Sequence, residues 1–149
     1  MNADFTPQLP CMCASLRRAV RAITQIYEEE LRPAKLRATQ FTLLQALSLA
    51  GEVTQGKLGH ILAMDSTTLT RTLAIMQRRG WIAKRHGADR REWRIGLSKA
   101  GEAQFKRALP HWERAQARLR QQLGQGQWNQ LMELATYVTR AVTERGEKS

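Results

Sequence analysis

Hydrophobic residues in this chain recur at helical spacing along most of its length, and they alternate at strand spacing only within residues 81–97. Trp93, Ile95 and Leu97 are each separated by one residue, and residues 81–85 form the predicted partner strand. A change of period in one short segment limits the β-structure to a single hairpin. The pattern therefore predicts a mainly α fold with one small β-hairpin, which belongs to the α+β class.

Two helices are predicted before residue 52. Residues 1–10 are predicted to form an arm, and from about Cys11 the apolar residues follow helical spacing until Pro33 ends or interrupts the helix. Thr39 is the predicted N-cap of the second helix, and Gly51 is its predicted end. This second helix would open the domain that contains the hairpin.

Two short helices are predicted next, joined by a tight turn at residues 63–64. Thr54 and Asp65 are suitable N-caps for these helices because their side-chain oxygens can accept a helix N–H. Gly80 is expected to end the second of them. Two short helices with such a turn match the helix-turn-helix pattern, and with the hairpin they predict a winged helix-turn-helix over residues 37–98.

Two further helices are predicted after the hairpin. Ser98 is the predicted N-cap of a long fifth helix, in which Pro110 is expected to cause a kink because proline lacks the N–H that a helix needs. The predicted inward-facing residues of the fifth helix are Phe105, Leu109, Trp112, Leu119 and Leu123. Gly124 and Gly126 are expected to break the chain. The sixth helix then shows an apolar stripe that is typical of helix packing.

Positive charge is concentrated around the predicted hairpin. The 149 residues include 24 Lys and Arg against 13 Asp and Glu, which gives a net charge of +11. Residues 70–95 hold eight basic and two acidic residues, so more than half of the net charge lies in less than a fifth of the chain. Such a patch favours a polyanionic partner, either nucleic acid or an anionic membrane surface.

Several classes of protein are disfavoured by what the sequence lacks. No apolar stretch approaches the roughly 20 residues of a membrane-spanning helix, and no secretory signal is visible. The basic residues lie on a hairpin rather than along an amphipathic helix, which argues against a membrane-surface role. We expect no enzyme and no cofactor, because no phosphate-binding loop, metalloprotease motif or nucleophile with a base is evident. Two cysteines exclude a disulfide framework and favour the cytoplasm.

The fourth helix and the hairpin together form the candidate DNA-binding surface. Small hydroxyl residues early in a recognition helix suit the major groove, where threonine can bond a base edge and arginine can reach guanine or phosphate. Arg90 and Arg91 at the hairpin tip can enter the minor groove, and Asp89 is expected to pair with a neighbouring arginine and hold the tip in shape. The predicted DNA-binding residues are Ser66, Thr67, Thr68, Thr70, Arg71, Arg78, Lys84, Arg85, Arg90, Arg91 and Arg94. The alternatives are a polar face that only contacts solvent and a winged helix that binds protein or RNA.

Residues 11–145 resemble the MarR family of winged-helix transcriptional regulators. The resemblance is carried by TQGKLGHILAMDSTTLTRTLAIMQRRGWIAKR at residues 54–85 and by DRREWRIGLSKAG at residues 89–101. The second segment is similar to the family's wing signature, an Asp-x-Arg followed by Leu, by Ser or Thr, and by Gly. The matching positions are Asp89, Arg91, Leu97, Ser98 and Gly101. Gly96 departs from the pattern, because a residue that favours strands is expected there.

The resemblance implies a homodimer, in which residues 1–36 and 99–149 form the dimerisation part beside the DNA-binding domain of residues 37–98. The residues agree, because a small monomer has difficulty burying the apolar stripes of the fifth and sixth helices, and a second copy is the simplest cover. A two-fold dimer predicts a pseudo-palindromic operator in double-stranded DNA with half-sites about 10 base pairs apart. The resemblance also implies repression that a small aromatic or phenolic effector relieves, although the residues alone leave activation open.

The sequence offers candidate residues for binding an effector. Arg17 and Arg21 lie four residues apart on the first helix and can clamp a carboxylate, and His60 can line a pocket. The alternative is that both arginines only cover the flank of their helix with their aliphatic stems.

Cys11 and Cys13 are candidates for a redox input. The N-terminal end of a helix favours the thiolate, which can be oxidised or can bridge two subunits. Residues two apart diverge on a helix, so a bridge between these two requires a non-helical segment. Two cysteines without a nearby histidine make an incomplete zinc site, so no metal is expected. The alternative function is therefore a thiol-based, redox-sensing DNA-binding regulator.

Overall fold

The computed structural model describes residues 7–143, which form a helical chain with one small sheet. The helices are α1 (Met12–Leu31), α2 (Ala38–Ala50), α3 (Gln55–Leu62), α4 (Ser66–Arg78), α5 (Lys99–Leu123) and α6 (Gln125–Thr143). The strands are β1 (Val53–Thr54), β2 (Ile82–His86) and β3 (Trp93–Leu97). A turn of 3-10 helix at Arg32–Ala34, which contains Pro33, joins α1 to α2. The predicted mainly α fold with a small hairpin is confirmed, and residues 1–6 of the predicted arm lie outside the described part.

Three of the predicted N-caps are confirmed. The side chain of Thr54 accepts the N–H of Lys57 at 3.2 Å, and the carboxylate of Asp65 accepts the N–H of Thr68 at 2.8 Å. Ser98 caps α5 through the N–H of the residue three positions later, at 3.0 Å. Each cap satisfies a helix N–H that has no partner within the helix, so these helix starts are encoded locally.

The predicted N-cap of α2 at Thr39 is wrong. The N-cap is Arg37, two residues before the predicted one, and the helix begins at Ala38. Gln40 accepts the backbone N–H of Arg37 at 3.0 Å, and Glu28 of α1 accepts the N–H of Ala38 at 2.9 Å. A carboxylate from another helix therefore completes this cap together with Gln40, and spacing along α2 could not reveal the contact with Glu28.

The sheet is antiparallel, with β3 between β1 and β2. The hairpin pairs Ile82 with Leu97 at its base and His86 with Trp93 at its outer end. β2 thus begins and ends one residue later than the predicted segment 81–85. Because β1 contributes only two residues and pairs only with β3, the outer part of the hairpin is a two-stranded ribbon.

The hydrophobic core lies between α2, α4, the sheet and the first half of α5. Phe41 of α2 contacts two aromatic rings of α5, with centroid distances of 5.5 Å to Phe105 and 5.7 Å to Trp112. The other large side chains buried to the same extent are Leu31, Leu43, Leu44, Leu47, Leu58, Leu69, Leu73, Met76 and Ile95. Burial of one such side chain contributes about 1.5–3 kcal/mol, so this core holds the helix-turn-helix rigidly against the sheet.

Gly101 lets α5 start directly against the hairpin. A Cβ atom added at this position would lie 1.9 Å from the carbonyl oxygen of Trp81 and 2.9 Å from its carbonyl carbon. The same carbonyl oxygen accepts the N–H of Ser98 at 3.1 Å. The glycine in the predicted wing signature is therefore required by the close approach of two backbone segments.

The buried face of α5 differs from the predicted one. Its buried residues are Gly101, Gln104, Ala108, Ala115 and Leu119, so only Leu119 of the predicted set lies at the centre of this face. The helix approaches its neighbours through small residues, and Phe105, Leu109 and Trp112 pack from the sides. α5 continues as one helix through Pro110, and the kink predicted there stays a prediction.

The chain breaks between α5 and α6 at Gly124, with φ at +82°, as predicted. Gly126, however, lies in the first turn of α6 and breaks nothing. No residue of α6 is buried within the described part of the chain. Apolar residues of α1 and α6 that remain exposed are Met12, Leu16, Val20, Leu131, Met132, Leu134, Tyr137, Val138 and Val142. None of the described helices is both long and apolar enough to span a membrane.

Candidate nucleic-acid interface

The turn between α3 and α4 fixes the geometry of the helix-turn-helix. Ala63 adopts a left-handed conformation with φ at +48°, and the N–H of Met64 donates to the carbonyl of Gly59 at 3.0 Å. A Cβ atom at Gly59 would lie 3.3 Å from the side chain of Leu69 on α4. The two helices therefore pack closely, and the outer face of α4 points away from the core.

The outer face of α4 carries hydroxyl and arginine side chains. Ser66, Thr67, Thr68, Thr70, Arg71 and Arg78 are all exposed, which is where the sequence predicted the DNA-reading residues. Two of these hydroxyls already have partners within the chain. Thr68 donates to the Asp65 carboxylate at 2.7 Å, and Thr70 accepts a hydrogen bond from Gln55 of α3 at 2.9 Å.

The Asp65 carboxylate is held in its charged form at the start of α4. Its pKa is lowered chiefly by the backbone N–H of Thr68 and by the Thr68 hydroxyl, both of which donate to it. Thr68 therefore completes the cap of α4. Gln55 was not predicted, because its contact with Thr70 joins residues 15 positions apart.

The tip of the hairpin is shaped by Asp89, although not through an arginine as predicted. The Asp89 carboxylate accepts the backbone N–H of Arg91 at 3.0 Å. Its carbonyl accepts the N–H of Glu92 at 3.0 Å, and Gly87 donates to the carbonyl of Glu92 at 2.8 Å. Within residues 7–143 no basic side chain lies within 4.0 Å of this carboxylate. Arg90 and Arg91 are both exposed at the tip.

The basic residues along the strands differ in their partners. Lys84 is half-buried, whereas Arg85 forms a two-pronged ion pair with Glu52. Arg94 donates to the carbonyl of Glu52 at 3.3 Å and lies 3.4 Å from the Glu92 carboxylate. Hydrogen bonding by Arg85 lowers the pKa of the Glu52 carboxyl. Arg85 and Arg94, two of the predicted DNA-binding residues, are thus engaged within the protein by Glu52, which was not predicted to take part.

An aromatic pair also supports the outer end of the hairpin. The rings of His86 and Trp93 lie 3.9 Å apart, on residues that face each other across β2 and β3. Trp93 remains 49% exposed. Cross-strand pairs of this kind stabilise two-stranded ribbons, so the contact helps to order the part of the hairpin that β1 does not reach.

The predicted effector residues lie on two different helices. Arg17 and Arg21 are exposed on α1, and His60 is exposed on α3. His60 lines a surface cavity of about 520 Å³ together with Met64 and Ser66. The three residues therefore come from two separate elements.

A larger cavity, of about 700 Å³, lies between the end of α2, the base of the hairpin and the start of α5. Apolar side chains of Leu47, Leu97 and Phe105 line it, and so do the charged side chains of Arg85 and Lys106. Glu52 and Glu102 contribute negative charge to the same lining. The cavity thus joins apolar walls to charges of both signs, as binding sites for small organic ions do.

The two cysteines are exposed, and neither forms a disulfide among the described residues. Cys11 is the N-cap of α1 in an extended conformation, with φ at −87° and ψ at 118°. Cys13 lies in the first turn, where its sulfur accepts a hydrogen bond from Arg17 at 3.3 Å. No group of three or more metal-ligating side chains is arranged for a metal ion among the described residues.

Comparisons of the sequence and of the structure with known proteins both find transcriptional regulators. The sequence model of the MarR family matches residues 36–93. The chain is 30% identical over 91 residues to YwoH from Bacillus subtilis, an uncharacterised HTH-type transcriptional regulator. This match covers 61% of the chain and 66% of that relative, slightly less than two thirds of its length.

Solved structures extend the similarity to nearly the whole chain. The Mycobacterium tuberculosis transcriptional regulator MosR, in complex with DNA, is 34% identical with a TM-score of 0.81, covering 90% of this chain and 97% of MosR. A mutant of MarR from E. coli with operator DNA has a TM-score of 0.77 at 22% identity, covering 85% and 92%, and supports the fold alone. With these similarities added to its helix-turn-helix and to its wing, which is the hairpin of β2 and β3, the chain belongs to the MarR family of transcriptional regulators.

Proposed function

We propose that the protein is a homodimeric regulator that binds a pseudo-palindromic operator in double-stranded DNA, represses transcription and releases the operator when an effector binds. The observation that carries this proposal is the exposed hydroxyl and arginine face of α4 beside a hairpin tip with two exposed arginines. That the similar MosR was solved with DNA supports the same partner here. The site of action would be the cytoplasm.

Within this proposal, α4 and the wing, which is the hairpin of β2 and β3, contact different grooves of the DNA. Thr67, Thr70 and Arg71 would read base edges in the major groove, since they project from the first half of α4. Arg90 and Arg91 would enter the minor groove, where negative potential attracts arginine. Ser66, Arg78 and Lys84 would bind phosphates and so position the protein.

The homodimer is supported by the unburied face of α6. Apolar residues of this helix remain exposed, including Tyr137 at 68% and Val142 at 70%, although a soluble helix normally buries such a stripe. We assign residues 1–36 and 99–149 to the dimerisation part and residues 37–98 to the DNA-binding domain. A two-fold dimer would present two copies of α4 to successive major grooves.

Fluorescence anisotropy with labelled operator duplexes tests the DNA-binding function. The operator can be selected from a randomised duplex library, and binding should fall steeply as salt rises, because each phosphate contact releases counterions. An A-form RNA duplex of matched length is the control for a nucleic-acid surface without groove specificity. Affinity that is independent of salt, or equal for both duplexes, would contradict the proposal.

The effector would be a small aromatic or phenolic acid bound in the cavity between α2, the wing base and α5. Phe105 and Leu47 can pack against a ring, and Lys106 can pair with a carboxylate. Arg17, Arg21 and His60 remain the residues predicted from the sequence for this role.

Thermal shift with salicylate and related acids, followed by operator release, measures effector binding. Lys106→Gln removes a charge from the cavity and Arg17→Gln removes one from α1. The variant that loses the thermal shift identifies which of the two places binds the acid. Coupling must be reciprocal, so an acid that weakens operator binding must bind more weakly to the operator complex. Repression and activation are separated by a reporter gene placed behind the selected operator.

A thiol-based input is the second candidate, and it rests on the exposure of both cysteines at the start of α1. A hydroperoxide could oxidise the pair to a disulfide: each thiol loses a proton, the S–S bond forms, and the peroxide is reduced to an alcohol and water. Because Cys13 lies in the first helical turn, closing this bridge would unwind that turn of the proposed dimerisation part.

Operator binding before and after cumene hydroperoxide treatment tests this input, with Cys11→Ser and Cys13→Ser as variants. Release by the wild type and retention by either variant would support it. Equal retention by all three proteins would exclude it.

A further inference from the structure

Two arginines of the wing face each other on the same side of the sheet. Arg85 of β2 and Arg94 of β3 are direct cross-strand partners in the antiparallel register. Like charges placed directly opposite each other destabilise a strand pair. The wing therefore needs negative charge at this position, and the residue that supplies it most directly lies outside the hairpin.

Glu52 supplies that charge from the segment between α2 and β1. Its carboxylate accepts two hydrogen bonds from Arg85, one from Nε and one from Nη2. Its backbone carbonyl accepts a third from Nη1 of Arg94 at 3.3 Å. Exposed ion pairs contribute little unless the geometry is two-pronged or part of a network, and this group meets both conditions.

Gly96 makes room for Glu52. A Cβ atom at Gly96 would lie 3.0 Å from Cγ of Glu52, which is closer than side-chain carbons normally approach. The residue opposite Gly96 in the register is the small Ala83. The Glu52 side chain can therefore lie over the strands and reach Arg85, and the departure from the wing signature at Gly96 has a physical reason.

We propose that Glu52 is a wing-positioning residue, which ties β2 to the end of α2 and withholds Arg85 from DNA phosphates. This contact is needed because β1 pairs with β3 but not with β2, so no strand pairing joins β2 to the segment that follows α2. Arg90 and Arg91, which are exposed at the tip, then make the arginine contacts of the wing with DNA. The positioning role of Glu52 does not depend on the proposed DNA-binding function, whereas the withholding of Arg85 from phosphates rests on it.

The positioning half is tested in the free protein by hydrogen–deuterium exchange. In Glu52→Gln, the amides of β2 and of residues 87–92 should exchange several-fold faster than in the wild type. Gly96→Ala should have the same effect, because it displaces Glu52 without changing any charge. Glu113→Gln, at an exposed residue of α5, is the matched control for charge. Unchanged exchange in both wing variants would overturn the proposal.

The withholding half is tested by the salt dependence of duplex binding. Arg85→Gln alone should leave the slope of log K against log [salt] unchanged, whereas Glu52→Gln should steepen it by about 0.9, the value for one added phosphate contact. The double variant should return to the wild-type slope. A slope that is reduced by about 0.9 in Arg85→Gln alone would show that Arg85 already binds phosphate and would overturn this half. If the wild type binds no duplex at all, the proposed function fails, while the exchange experiment still decides the positioning role.

Discussion

α4 and α6 are both amphipathic helices, but the chain covers the apolar stripe of only one of them. Leu69, Leu73 and Met76 of α4 are at most 1% exposed, whereas no described residue of α6 is buried. The difference shows which part of the molecule is complete in a single chain. The helix-turn-helix is folded around its own core, whereas α6 is the helix that the proposed second copy would cover.

The largest expected effect comes from placing charge on the stripe of α6. Val138→Glu should prevent dimerisation, because it would bury a carboxylate without a partner, while the winged helix keeps its fold. The loss of one of two linked half-site contacts should weaken operator binding about 100-fold or more. Analytical ultracentrifugation and anisotropy measure the two effects.

Thr136→Glu is the matched control, since it adds the same charge on another side of α6. A Val138→Glu variant that remains dimeric would show that α6 is not the interface. The comparison between the two helices would then need another explanation for the exposed stripe.

A core substitution in α4 should destabilise the fold of the single chain, whereas the substitution in α6 affects dimerisation. Leu73→Ala removes a fully buried side chain and should lower the free energy of unfolding by about 2–5 kcal/mol, through lost burial and a residual cavity. Urea denaturation measures the change, with Gln77→Ala on the exposed side of the same helix as control. A loss below 1 kcal/mol would contradict the packing described for α4.

Arg71→Ala is expected to have a smaller effect on operator binding and to leave the fold intact. Its side chain is exposed, so Arg71→Ala should not alter unfolding. Loss of a base contact should weaken binding to the selected operator by about 1–3 kcal/mol, or roughly 5- to 150-fold. Binding to an unrelated duplex should change much less, and a uniform loss on both duplexes would assign Arg71 to phosphate instead of bases.

The smallest expected effect concerns the cap of α4. The pKa of Asp65 is lowered in the folded protein by hydrogen bonds from Thr68, so its ionised form stabilises the fold. This contribution is fully present above the unfolded pKa, near 4, and is lost as the pH falls through the folded pKa. The wild type should therefore lose stability relative to Asp65→Asn below about pH 4. Urea denaturation at several pH values tests this, and parallel stability curves would contradict it.

Features that depend on neighbouring residues were predictable from the sequence. The caps at Thr54, Asp65 and Ser98 were predictable because each side chain bonds an N–H three residues later. The hairpin was predictable because alternation identifies a strand whatever it packs against. The cap of α2 was not, because Glu28 reaches it from ten residues away on another helix.

The proposed DNA-binding surface also has one part that was predictable from the sequence and one part that was not. Sequence spacing alone placed Thr67 and Arg71 on the outer face of α4, because three buried residues fix the orientation of a helix. It could not separate the exposed arginines of the wing tip from Arg85, whose partner Glu52 lies 33 residues away.

By itself the sequence determined the order of helices, the single hairpin, the local caps and the concentration of positive charge, because each of these depends on residues close together in the chain. Tertiary structure decided which side chains are already engaged and which helix remains uncovered. It also explained two glycines: Gly101 faces the backbone of Trp81, and Gly96 lies beneath Glu52. Contacts between distant segments depend on their relative placement in space, which no local pattern encodes.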